Sequence, residues 1–387
     1  MKKICIITGS RAEYGLLFNL IKKIKDYKNF KLQIIATCMH LLPKYGLTYK
    51  EIIKDGFKID CKVKMPLLSS KPENISAATG IGMVGFSKAY LKLKPDLVVV
   101  LGDRFEILSA AFAALSQKIP IAHIHGGEST FGAIDEAIRH SVTKMSTWHF
   151  PATNKYRKRI IQMGENPKNI FVVGSLGVDR IKKTKLFSKS ELEKKINFKF
   201  DKPTFLITYH PETLGKNPER DNVKALLSAV NSIKNIKAIF TLPNVDSGSD
   251  IIISMIKRFV KMNKERFKIF KSMGDTLYLS AMKHSQLVLG NSSSGIIEAP
   301  TLKKPTVNIG DRQEGRIKAG SIINSNANKL SIIKNINQAL SNEFKKKIGK
   351  IKNPYEVKNT SEKIFSIIKK IKLNKVPKKK FYDLSTK

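Results

Sequence analysis

Short apolar runs alternate with longer amphipathic stretches along most of the chain. The apolar runs have the length of buried strands, and the amphipathic stretches have the 3.6-residue period of helices. In the first half, strands are predicted at residues 3–8, 31–37, 59–65, 96–101, 119–124, 148–152 and 170–173. Helices are predicted between them, notably at 75–93, 105–117, 133–144 and 153–163. This regular alternation indicates a parallel sheet with helices on both faces.

A second alternation follows a lysine-rich segment, with strands predicted at 203–209, 236–241, 267–270, 286–290 and 305–309. The sequence therefore predicts an α/β fold of two Rossmann-like domains that face each other across a cleft. We expect a first domain over 1–180, a linker over 181–202 and a second domain over 203–355. A C-terminal helix within 356–375 would pack back across the joint, and 376–387 would form a mobile tail.

Charged side chains follow two neighbouring strands of the first half. Asp103 and Arg104 come directly after strand 96–101, and His125 and Glu128 follow strand 119–124. Asp135 stands at the start of the next helix. Ligands of open α/β sheets bind outside the carboxyl ends of the strands, so these side chains are expected to share one crevice. Three carboxylates beside basic residues suit proton transfer to and from carbon or oxygen.

Two basic residues stand at the ends of the first two strands. Arg11 follows the Gly9–Ser10 turn at a helix N-terminus, which is a place where a phosphate can bind. Arg11 could instead pair with a neighbouring carboxylate. His40 lies just past strand 31–37, and the sequence leaves a structural and a chemical role equally open.

The second half carries a predicted diphosphate site. His210 ends one strand, and a serine-rich turn at Ser292, Ser293 and Ser294 follows another. Hydroxyls and backbone N–H groups at a helix start can hold a diphosphate, although plain N-capping would explain one of the serines. Glu298 is placed to accept hydrogen bonds from ribose hydroxyls, and Arg312 and Arg316 offer positive charge.

Lysine and arginine outnumber aspartate and glutamate by 71 to 31, giving a formal charge of +40. Such a charge can indicate a nucleic-acid-binding protein. The lysines are spread over the whole length without a basic stripe interleaved with aromatic residues. General enrichment in lysine is therefore the preferred interpretation, and no nucleic-acid partner is expected. A positive surface would still attract anionic substrates.

Membrane and disulfide-rich secreted proteins are the classes that the sequence argues against. No apolar run approaches the roughly 20 residues of a membrane span, and the first apolar run is too short for a signal peptide. Cys5, Cys38 and Cys61 lie in apolar segments without a metal-binding spacing, which indicates buried, reduced thiols. We expect a soluble, cytoplasmic protein with no membrane partner.

A series of motifs occurs in one order along nearly the whole chain: GSRAEYGLL, MHLLPKYGLT, LGDRFEI, HIHGGE with AIDEAIRH, YHPET, GSDII, GNSSSGIIEAP and NIGDRQ. Together they resemble the hydrolysing UDP-N-acetylglucosamine 2-epimerases of sialic acid biosynthesis and their relatives in legionaminic acid biosynthesis. Non-hydrolysing 2-epimerases have a loop closer to H-V-E-A-G and a later Glu-Glu pair, whereas this chain has HIHGGE and Asp135-Glu136. The resemblance implies the two-domain fold also seen in GT-B glycosyltransferases.

The resemblance further implies a two-step reaction. The C2 proton of the sugar is removed while the nucleoside diphosphate leaves C1, which gives a glycal. Water then adds with inversion at C2 and releases free N-acetylmannosamine or its 2,4-diacetamido-trideoxy analogue. No metal or redox cofactor is implied, and a homo-oligomer, most simply a dimer, is expected.

By the same resemblance, the catalytic positions are Asp103, Glu128, Asp135, His40 and Arg104. Asp103 is expected in the elimination, and Glu128 and Asp135 mainly in the hydration. The residues that match diphosphate-binding positions are Arg11, His210, Ser292, Ser293 and Arg312, and Glu298 matches the ribose-binding position.

Two alternatives from other classes of protein remain beside this interpretation, and a non-hydrolysing 2-epimerase is a third, less favoured one. A GT-B glycosyltransferase would use the same diphosphate site but needs an acceptor. A basic nucleic-acid-binding protein would account only for the charge. The sequence leaves open whether the nucleotide is UDP or GDP, and whether the sugar is N-acetylglucosamine or a 2,4-diacetamido analogue.

Overall fold

The computed structural model describes residues 1–67, 69–215, 218–244, 246–373 and 378–384, and these residues form two compact units. Unit 1 comprises Met1–Glu128, Asp135–Arg180 and Val357–Lys387. Unit 2 comprises Ser129–Ile134 and Ile181–Glu356. The six residues between Glu128 and Asp135 therefore belong to unit 2, although the chain on both sides belongs to unit 1.

Unit 1 is built on a six-stranded parallel sheet with the order β3-β2-β1-β4-β5-β6. Its strands are β1 (Lys2–Thr8), β2 (Phe30–Thr37), β3 (Cys61–Val63), β4 (Leu97–Leu101), β5 (Ile121–Ile124) and β6 (Trp148–Phe150). Its helices are α1 (Arg11–Asp26), α2 (Tyr49–Lys54), α3 (Pro72–Leu93), α4 (Phe105–Ser116), α5 (Asp135–Met145) and α6 (Asn154–Gln162). The chain passes towards unit 2 within α7 (Leu176–Lys183).

Both faces of this sheet are covered because successive side chains of a strand point to opposite sides. Ile4 and Ile6 of β1 join a core with α1, whereas Cys5 and Ile7 join a second core with α3 and α4. A strand buried on both faces is a continuous apolar run, as the parallel-sheet prediction requires.

Unit 2 repeats the architecture with the strand order β12-β11-β10-β7-β8-β9, again all parallel. Its strands are β7 (Thr204–Thr208), β8 (Lys237–Thr241), β9 (Phe267–Phe270), β10 (Leu287–Gly290), β11 (Thr306–Ile309) and β12 (Ile322–Ser325). Its helices are α8 (Lys189–Ile196), α9 (Glu219–Ser232), α10 (Ser249–Met262), α11 (Asp275–His284), α12 (Ser293–Ile297), α13 (Lys329–Leu340) and α14 (Asn342–Gly349). Both sheets have the strand order of the doubly wound dinucleotide-binding fold. The predicted α/β class with two parallel sheets is confirmed.

The sequence prediction differs from the structure at two strands. Residues 170–173 were predicted as a strand, but Ile170 makes only an isolated bridge to His149. The prediction missed β12, whose sequence IINS is short and half polar because this strand lies at the edge of its sheet.

The last helix, α15 (Thr360–Lys370), lies within unit 1. Ile364 and Ile368 join the core on the α1 side of the sheet. The hydroxyl of Thr360 donates to the backbone carbonyl of Val173 at 2.7 Å. The predicted linker 181–202 belongs to unit 2 and contains α8.

The predicted tail, 376–387, lies partly outside the described residues. Of the part that the structure describes, Lys379 forms an ion pair with Glu165 at 2.8 Å. The N–H of Tyr382 donates to the carbonyl of Gly164 at 2.9 Å. Across the described parts of the chain, no helix combines the length and apolar character that crossing a lipid bilayer requires.

Candidate active site

The turn after β5 has a backbone conformation that places Glu128 in the interior of unit 1. His125 and Gly127 both adopt positive φ angles, 67° and 75°. A side chain at Gly127 would begin only 2.5 Å from the backbone oxygen of Tyr156, so this position requires glycine. Glu128 is 1% exposed, and its Oε1 lies 2.8 Å from Nδ1 of His125. The structure thus brings together two residues that the sequence placed in one crevice.

Arg139 joins the carboxylates of this region, and its side chain is fully buried. Its Nε and Nη2 donate to Asp103 Oδ2 at 2.9 and 2.5 Å. Its Nη1 donates to the backbone carbonyl of Glu128 at 3.0 Å and to Glu136 Oε2 at 2.6 Å. A buried guanidinium must be paired, and here one cation binds the ends of β4, β5 and the start of α5 together.

The other two predicted catalytic residues of this edge stand beside the same strands. Asp135 is half-buried and is the first residue of α5, one helical turn before Arg139. Arg104 follows Asp103, and its Nε donates to Oε1 of the fully buried Glu106 at 2.8 Å. Because β4 and β5 are adjacent parallel strands, Asp103, Arg104 and Glu128 lie at one edge of the sheet, as predicted, whereas Asp135 follows the six residues that belong to unit 2.

His40 is held by hydroxyl groups on both sides. Its Nε2 lies 3.1 Å from Thr8 Oγ1, and its Nδ1 lies 2.8 Å from Thr48 Oγ1. Burial lowers the pKa of His40 to about 4, so the ring is neutral at physiological pH. In this environment His40 can orient hydroxyl groups but cannot serve as an imidazolium.

Arg11 stands at the start of α1, which is capped by Ser10. Its Nε forms an ion pair with Glu51 at 2.5 Å. Arg11 therefore pairs with a neighbouring carboxylate in this structure, which is one of the two possibilities that the sequence left open. The diphosphate role stays a prediction.

This arrangement in unit 1 is suited to acid–base chemistry. Arg139 compensates the charge of Asp103 from inside the protein, and His125 is paired with Glu128 on one side of its ring. The other ring nitrogen of His125, Nε2, is buried and has no hydrogen-bond partner among the described residues. A carboxylate and an imidazole in contact can exchange a proton with a ligand bound beside them.

In unit 2, His210 is held at the end of β7 by Asn291. The N–H of His210 donates to Asn291 Oδ1 at 2.6 Å, and Asn291 Nδ2 donates to the carbonyl of His210 at 2.8 Å. His210 Nδ1 accepts from the N–H of Asn244 at 3.3 Å. Asp246 Oδ2 lies 4.0 Å from the same nitrogen, so the Nδ1 side of the ring faces groups of unit 2. An Nε2–H group on the other side of the ring would be a donor that suits an anionic ligand.

The serine-rich turn follows β10 directly. Gly290 has a φ angle of 127°, and a side chain there would begin 2.0 Å from the carbonyl oxygen of Thr208. Ser292 caps α12 by accepting from the N–H of Ser294 at 3.3 Å, so the N-capping alternative applies to Ser292. Ser293 and Ser294 begin the helix itself. The N–H of Ser293 and the hydroxyls of Ser293 and Ser294 are donors of the kind that a diphosphate would require.

Two further predicted residues lie beside this turn. Arg312 Nη1 donates to the carbonyl of Asn291 at 3.2 Å, immediately before the serines. Glu298 follows α12 and is deeply buried, which raises its pKa to about 8 despite the opposing charge of Arg316. The structure therefore brings His210, the serine turn and Arg312 together around Asn291.

Sequence reasoning assigned no role to three residues that organise these sites: Arg139, Asn291 and Gln313. Each is buried and polar, and each joins segments that are distant in the chain. A weak signal existed for Arg139, because it stands four residues after Asp135 on a short helix and would lie on the same face. Asn291 directly precedes the serines, but its side chain is indistinguishable in sequence from an ordinary turn residue.

Comparison with known proteins extends over almost the whole chain. The sequence profile of the UDP-N-acetylglucosamine 2-epimerase family matches residues 22–369. The chain is 42% identical to the GDP/UDP-N,N'-diacetylbacillosamine 2-epimerase (hydrolyzing) of Campylobacter jejuni, over 99% of both chains. It is 40% identical to the polysialic acid biosynthesis protein P7 of Escherichia coli, over 99% of this chain and 98% of that protein.

Among solved structures, the S. aureus MnaA–UDP co-structure matches with a TM-score of 0.79. The match covers 95% of this chain and 96% of that chain at 20% sequence identity. The likeness is therefore one of fold, and it confirms the two-domain, GT-B-like class that the sequence predicts.

Proposed function

The chain belongs to the UDP-N-acetylglucosamine 2-epimerase family, and from this premise we propose that it is a hydrolysing nucleotide-sugar 2-epimerase. Its substrate would be UDP-N-acetylglucosamine or a UDP- or GDP-linked 2,4-diacetamido-trideoxy analogue. Its products would be a free sugar of the N-acetylmannosamine type and a nucleoside diphosphate, which would supply sialic or legionaminic acid biosynthesis. The observation that carries the proposal is the buried Arg139, which holds Asp103 and the Glu128 backbone in one place.

The proposed first step is an elimination. The C2–H bond of the sugar and the C1–O bond to the diphosphate break, a C1–C2 double bond forms, and the diphosphate leaves with the C1–O electrons. The C2 proton is weakly acidic, so departure of the diphosphate must build positive charge on the ring, which a carboxylate stabilises. Asp103 is the proposed base, because Arg139 holds it while 20% of its side chain stays exposed.

The proposed second step is a hydration of the resulting glycal. One acid delivers a proton to C2 on the opposite face, and water adds to C1 and loses a proton. Glu128 and Asp135 are the proposed residues for this step. The pairing of Glu128 with His125 supports that assignment, because an imidazole can replace the proton that the carboxyl group donates.

The nucleoside diphosphate is proposed to bind the residues that Asn291 joins in unit 2. His210 supplies the Nε2 donor, Ser292, Ser293 and Ser294 supply hydroxyl and N–H donors, and Arg312 supplies charge. Glu298 is the proposed acceptor for the ribose hydroxyls. Arg11, His40 and Arg104 are kept as substrate-contacting or catalytic residues on the strength of their motifs.

Between the two sugar classes, we propose the 2,4-diacetamido-trideoxy sugar as the first to test. The 42% identical C. jejuni protein is named for N,N'-diacetylbacillosamine with either GDP or UDP. The 40% identical E. coli protein is named for polysialic acid biosynthesis, which keeps UDP-N-acetylglucosamine as the second substrate to test.

The decisive experiment is an NMR assay without any acceptor, with UDP-N-acetylglucosamine and with UDP- and GDP-N,N'-diacetylbacillosamine in parallel. In D₂O, elimination and hydration would place one deuterium at C2 of a manno-configured free sugar. In H₂¹⁸O, the label would appear on C1 of the sugar and not on the diphosphate. Simple glycosyl hydrolysis would leave hydrogen at C2, and a glycosyltransferase would need an acceptor, so either result would contradict the proposal.

We further propose a homodimer. Adjacent helices α3 and α4, joined by a hydrogen bond from Gln117 to the carbonyl of Ser87 at 2.8 Å, both expose apolar side chains. These exposed residues are Ile81, Val84 and Leu91 on α3 and Phe112 and Leu115 on α4. Apolar patches of this kind are typical of protein–protein contacts.

A further inference from the structure

The segment between the proposed catalytic residues Glu128 and Asp135 packs with unit 2, although both flanking residues belong to unit 1. Its last residue, Ile134, directly precedes Asp135. The N–H of Ile134 donates to Oγ1 of Thr213 at 2.9 Å. Thr213 is the last residue of the motif Tyr-His-Pro-Glu-Thr, and neither the proposed reaction nor diphosphate binding gives it a role.

The rest of the segment is attached to unit 2 by its backbone. The N–H of Phe131 donates to the carbonyl of Glu314 at 3.2 Å, and the N–H of Leu214 donates to the carbonyl of Gly132 at 3.2 Å. Backbone contacts of this kind define the path of a segment independently of its side chains. The residue that precedes Asp135 is therefore held by contacts within unit 2.

Close packing leaves this path little freedom. A side chain at Gly132 would begin 2.8 Å from the backbone oxygen of Asp311. A Cβ added at Gly315, whose φ angle is 87°, would lie 2.7 Å from Cβ of Ser129. Both glycines are required where the segment meets the turn at 311–315.

The same turn contacts the proposed diphosphate-binding residues. Gln313 Nε2 donates to the carbonyl of Asn291 at 2.8 Å, beside the contact that Arg312 makes with the same oxygen. Asn291 in turn is bonded twice to the backbone of His210, three residues before Thr213. The segment is thus attached to the elements that would hold the diphosphate.

We propose that Thr213 is a positioning residue that sets the location of Asp135 by binding the N–H of Ile134. The inference rests on the proposed function of Asp135 and deepens it. Asp135 is the first residue of α5, and its main-chain position depends on the residue before it. A nucleotide bound at His210 and Arg312 would restrict the motion of the residues in unit 2 that contact this segment. Diphosphate binding would therefore favour the position of Asp135 that Thr213 sets.

The kinetic test compares Thr213→Val, which removes the hydroxyl at nearly constant volume, with Thr213→Ser, which keeps it. Loss of one hydrogen bond that positions a reacting group predicts a fall in kcat of about 3- to 10-fold for Thr213→Val. The affinity for UDP, measured by calorimetry, should change by less than about 2-fold, because Thr213 does not touch the nucleotide in this proposal. Thr213→Ser should restore kcat. A parallel loss of UDP affinity, an unchanged kcat, or a failure of serine to restore kcat would each overturn the proposal.

A second measurement does not depend on turnover. Amide hydrogen exchange of the Ile134–Arg139 region should be about 3- to 10-fold faster in Thr213→Val than in the wild type, and serine should restore it. UDP should slow exchange in this region in the wild type and much less in Thr213→Val. If the wild type turns over no nucleotide sugar but shows this exchange pattern, the proposed function fails and the positioning role stands. Unchanged exchange in Thr213→Val would refute the positioning role whatever the activity.

Gly132→Ala provides an independent variant in case Thr213→Val folds poorly. The added methyl group must displace the segment from Asp311, so it should lower kcat and speed exchange of the Ile134–Arg139 amides. UDP affinity is not a readout for this variant, because the added carbon would also lie 3.0 Å from Cα of Arg312. Gly320→Ala is its matched control, because the added carbon there meets only the flexible side chain of Ile351, at 3.3 Å. Equal effects of the two glycine substitutions would contradict the proposal.

Discussion

The guanidinium of Arg139 donates two hydrogen bonds to a single oxygen of Asp103, from Nε at 2.9 Å and from Nη2 at 2.5 Å. The cation is buried, with 1% of its side chain exposed, whereas 20% of the Asp103 side chain is exposed. The charge of the carboxylate is therefore compensated from the interior, and the carboxylate stays accessible to a substrate. An acceptor held in this way loses little freedom when the substrate binds.

Replacing Arg139 by methionine is expected to destabilise unit 1 and to abolish activity. The substitution leaves Asp103 and Glu136 without a buried counter-charge, and breaking a buried ion pair costs about 3–5 kcal/mol. Arg139→Lys should recover part of the stability but little activity, because one ammonium group cannot replace the planar set of donors. Urea unfolding and initial rates measure the two effects.

Arg266→Lys is the matched control for Arg139→Lys. Arg266 also donates to backbone carbonyls, those of Ile233 and Ile236, but it belongs to unit 2, whereas the proposed catalytic residues belong to unit 1. This variant should keep wild-type rates. If Arg139→Lys retained full activity, the proposed role of Arg139 in holding Asp103 would be wrong.

Replacing Glu128 by glutamine should slow turnover by about two to four orders of magnitude, the usual contribution of a general acid–base group. The fold should persist, because glutamine is isosteric and its amide can still bind Nδ1 of His125. If Glu128 acts mainly in hydration, the variant should release glycal, which NMR detects by its vinyl proton. Release of unreacted substrate only would place Glu128 in the elimination instead.

The sequence could predict those parts of the molecule that depend on local pattern. Strand β1 is apolar at every position that contacts a helix layer, and the residues that follow β4 and β5 are polar because they leave the sheet. Two adjacent strands that both end in acids therefore predicted one functional edge.

Contacts among distant segments could not be predicted in this way. Arg139 binds residues 103, 128 and 136, and its spacing from Asp135 indicates a shared helix face but not that this arginine is buried. The packing of residues 129–134 with unit 2 was equally hidden, because the segment lies between two parts of the first predicted domain. The pairing of Arg11 with Glu51 depends on where α2 packs, which the sequence left open.

His40 is expected to stay neutral throughout the pH range of activity. Its pKa, lowered to about 4 by burial, lies well below the value near 6.5 that it has in the unfolded chain. The unfolded chain therefore binds more protons between these values, so the stability that His40 contributes is full above pH 6.5 and falls as the pH drops towards 4. NMR of the imidazole nitrogens should show a neutral ring at pH 5.5.

His40→Asn should lower the free energy of unfolding by about 1–3 kcal/mol at pH 7, because the buried hydroxyls of Thr8 and Thr48 lose partners. The signal that disappears in this variant identifies His40 in the NMR spectrum. A titration of that signal near pH 6.5 would contradict the neutral assignment.

The proposed homodimer predicts that a charge on the exposed face of α3 or α4 separates the subunits. Leu91→Lys and Phe112→Lys each place an ammonium group where the proposed interface would remove water, so each should give a monomer at micromolar concentration. Light scattering after size-exclusion chromatography measures the mass. Met262→Lys, at an exposed apolar residue of α10, is the control that should not change it.

The buried carboxyl group of Glu298 should make the difference in stability between the wild type and Glu298→Gln depend on pH. Burial raises the pKa of Glu298 from 4.5 to about 8, so the folded protein keeps this proton while the unfolded chain loses it. Between these pH values the stability that Glu298 contributes falls by about 1.4 kcal/mol per pH unit as the pH rises. Glutamine carries no such proton, so Glu298→Gln should become progressively more stable than the wild type from pH 5 to pH 8. Urea unfolding at pH 5, 6.5 and 8 measures the difference in the free energy of unfolding. Other buried acids such as Glu13 contribute equally to the pH dependence of both proteins, so their contributions cancel in this difference.

Nucleotide binding gives the same carboxyl group a second, independent test. If the ribose hydroxyls donate to Glu298, the ionised form is the better acceptor, and bound UDP must lower the pKa of Glu298. The affinity of the wild type for UDP should then rise between pH 7 and pH 9, whereas that of Glu298→Gln should change much less. Calorimetry in buffers of different ionisation enthalpy would also detect the proton that the wild type releases near pH 7.5. Equal pH dependence in the two proteins would mean that the ribose binds elsewhere, even if the stability difference is found.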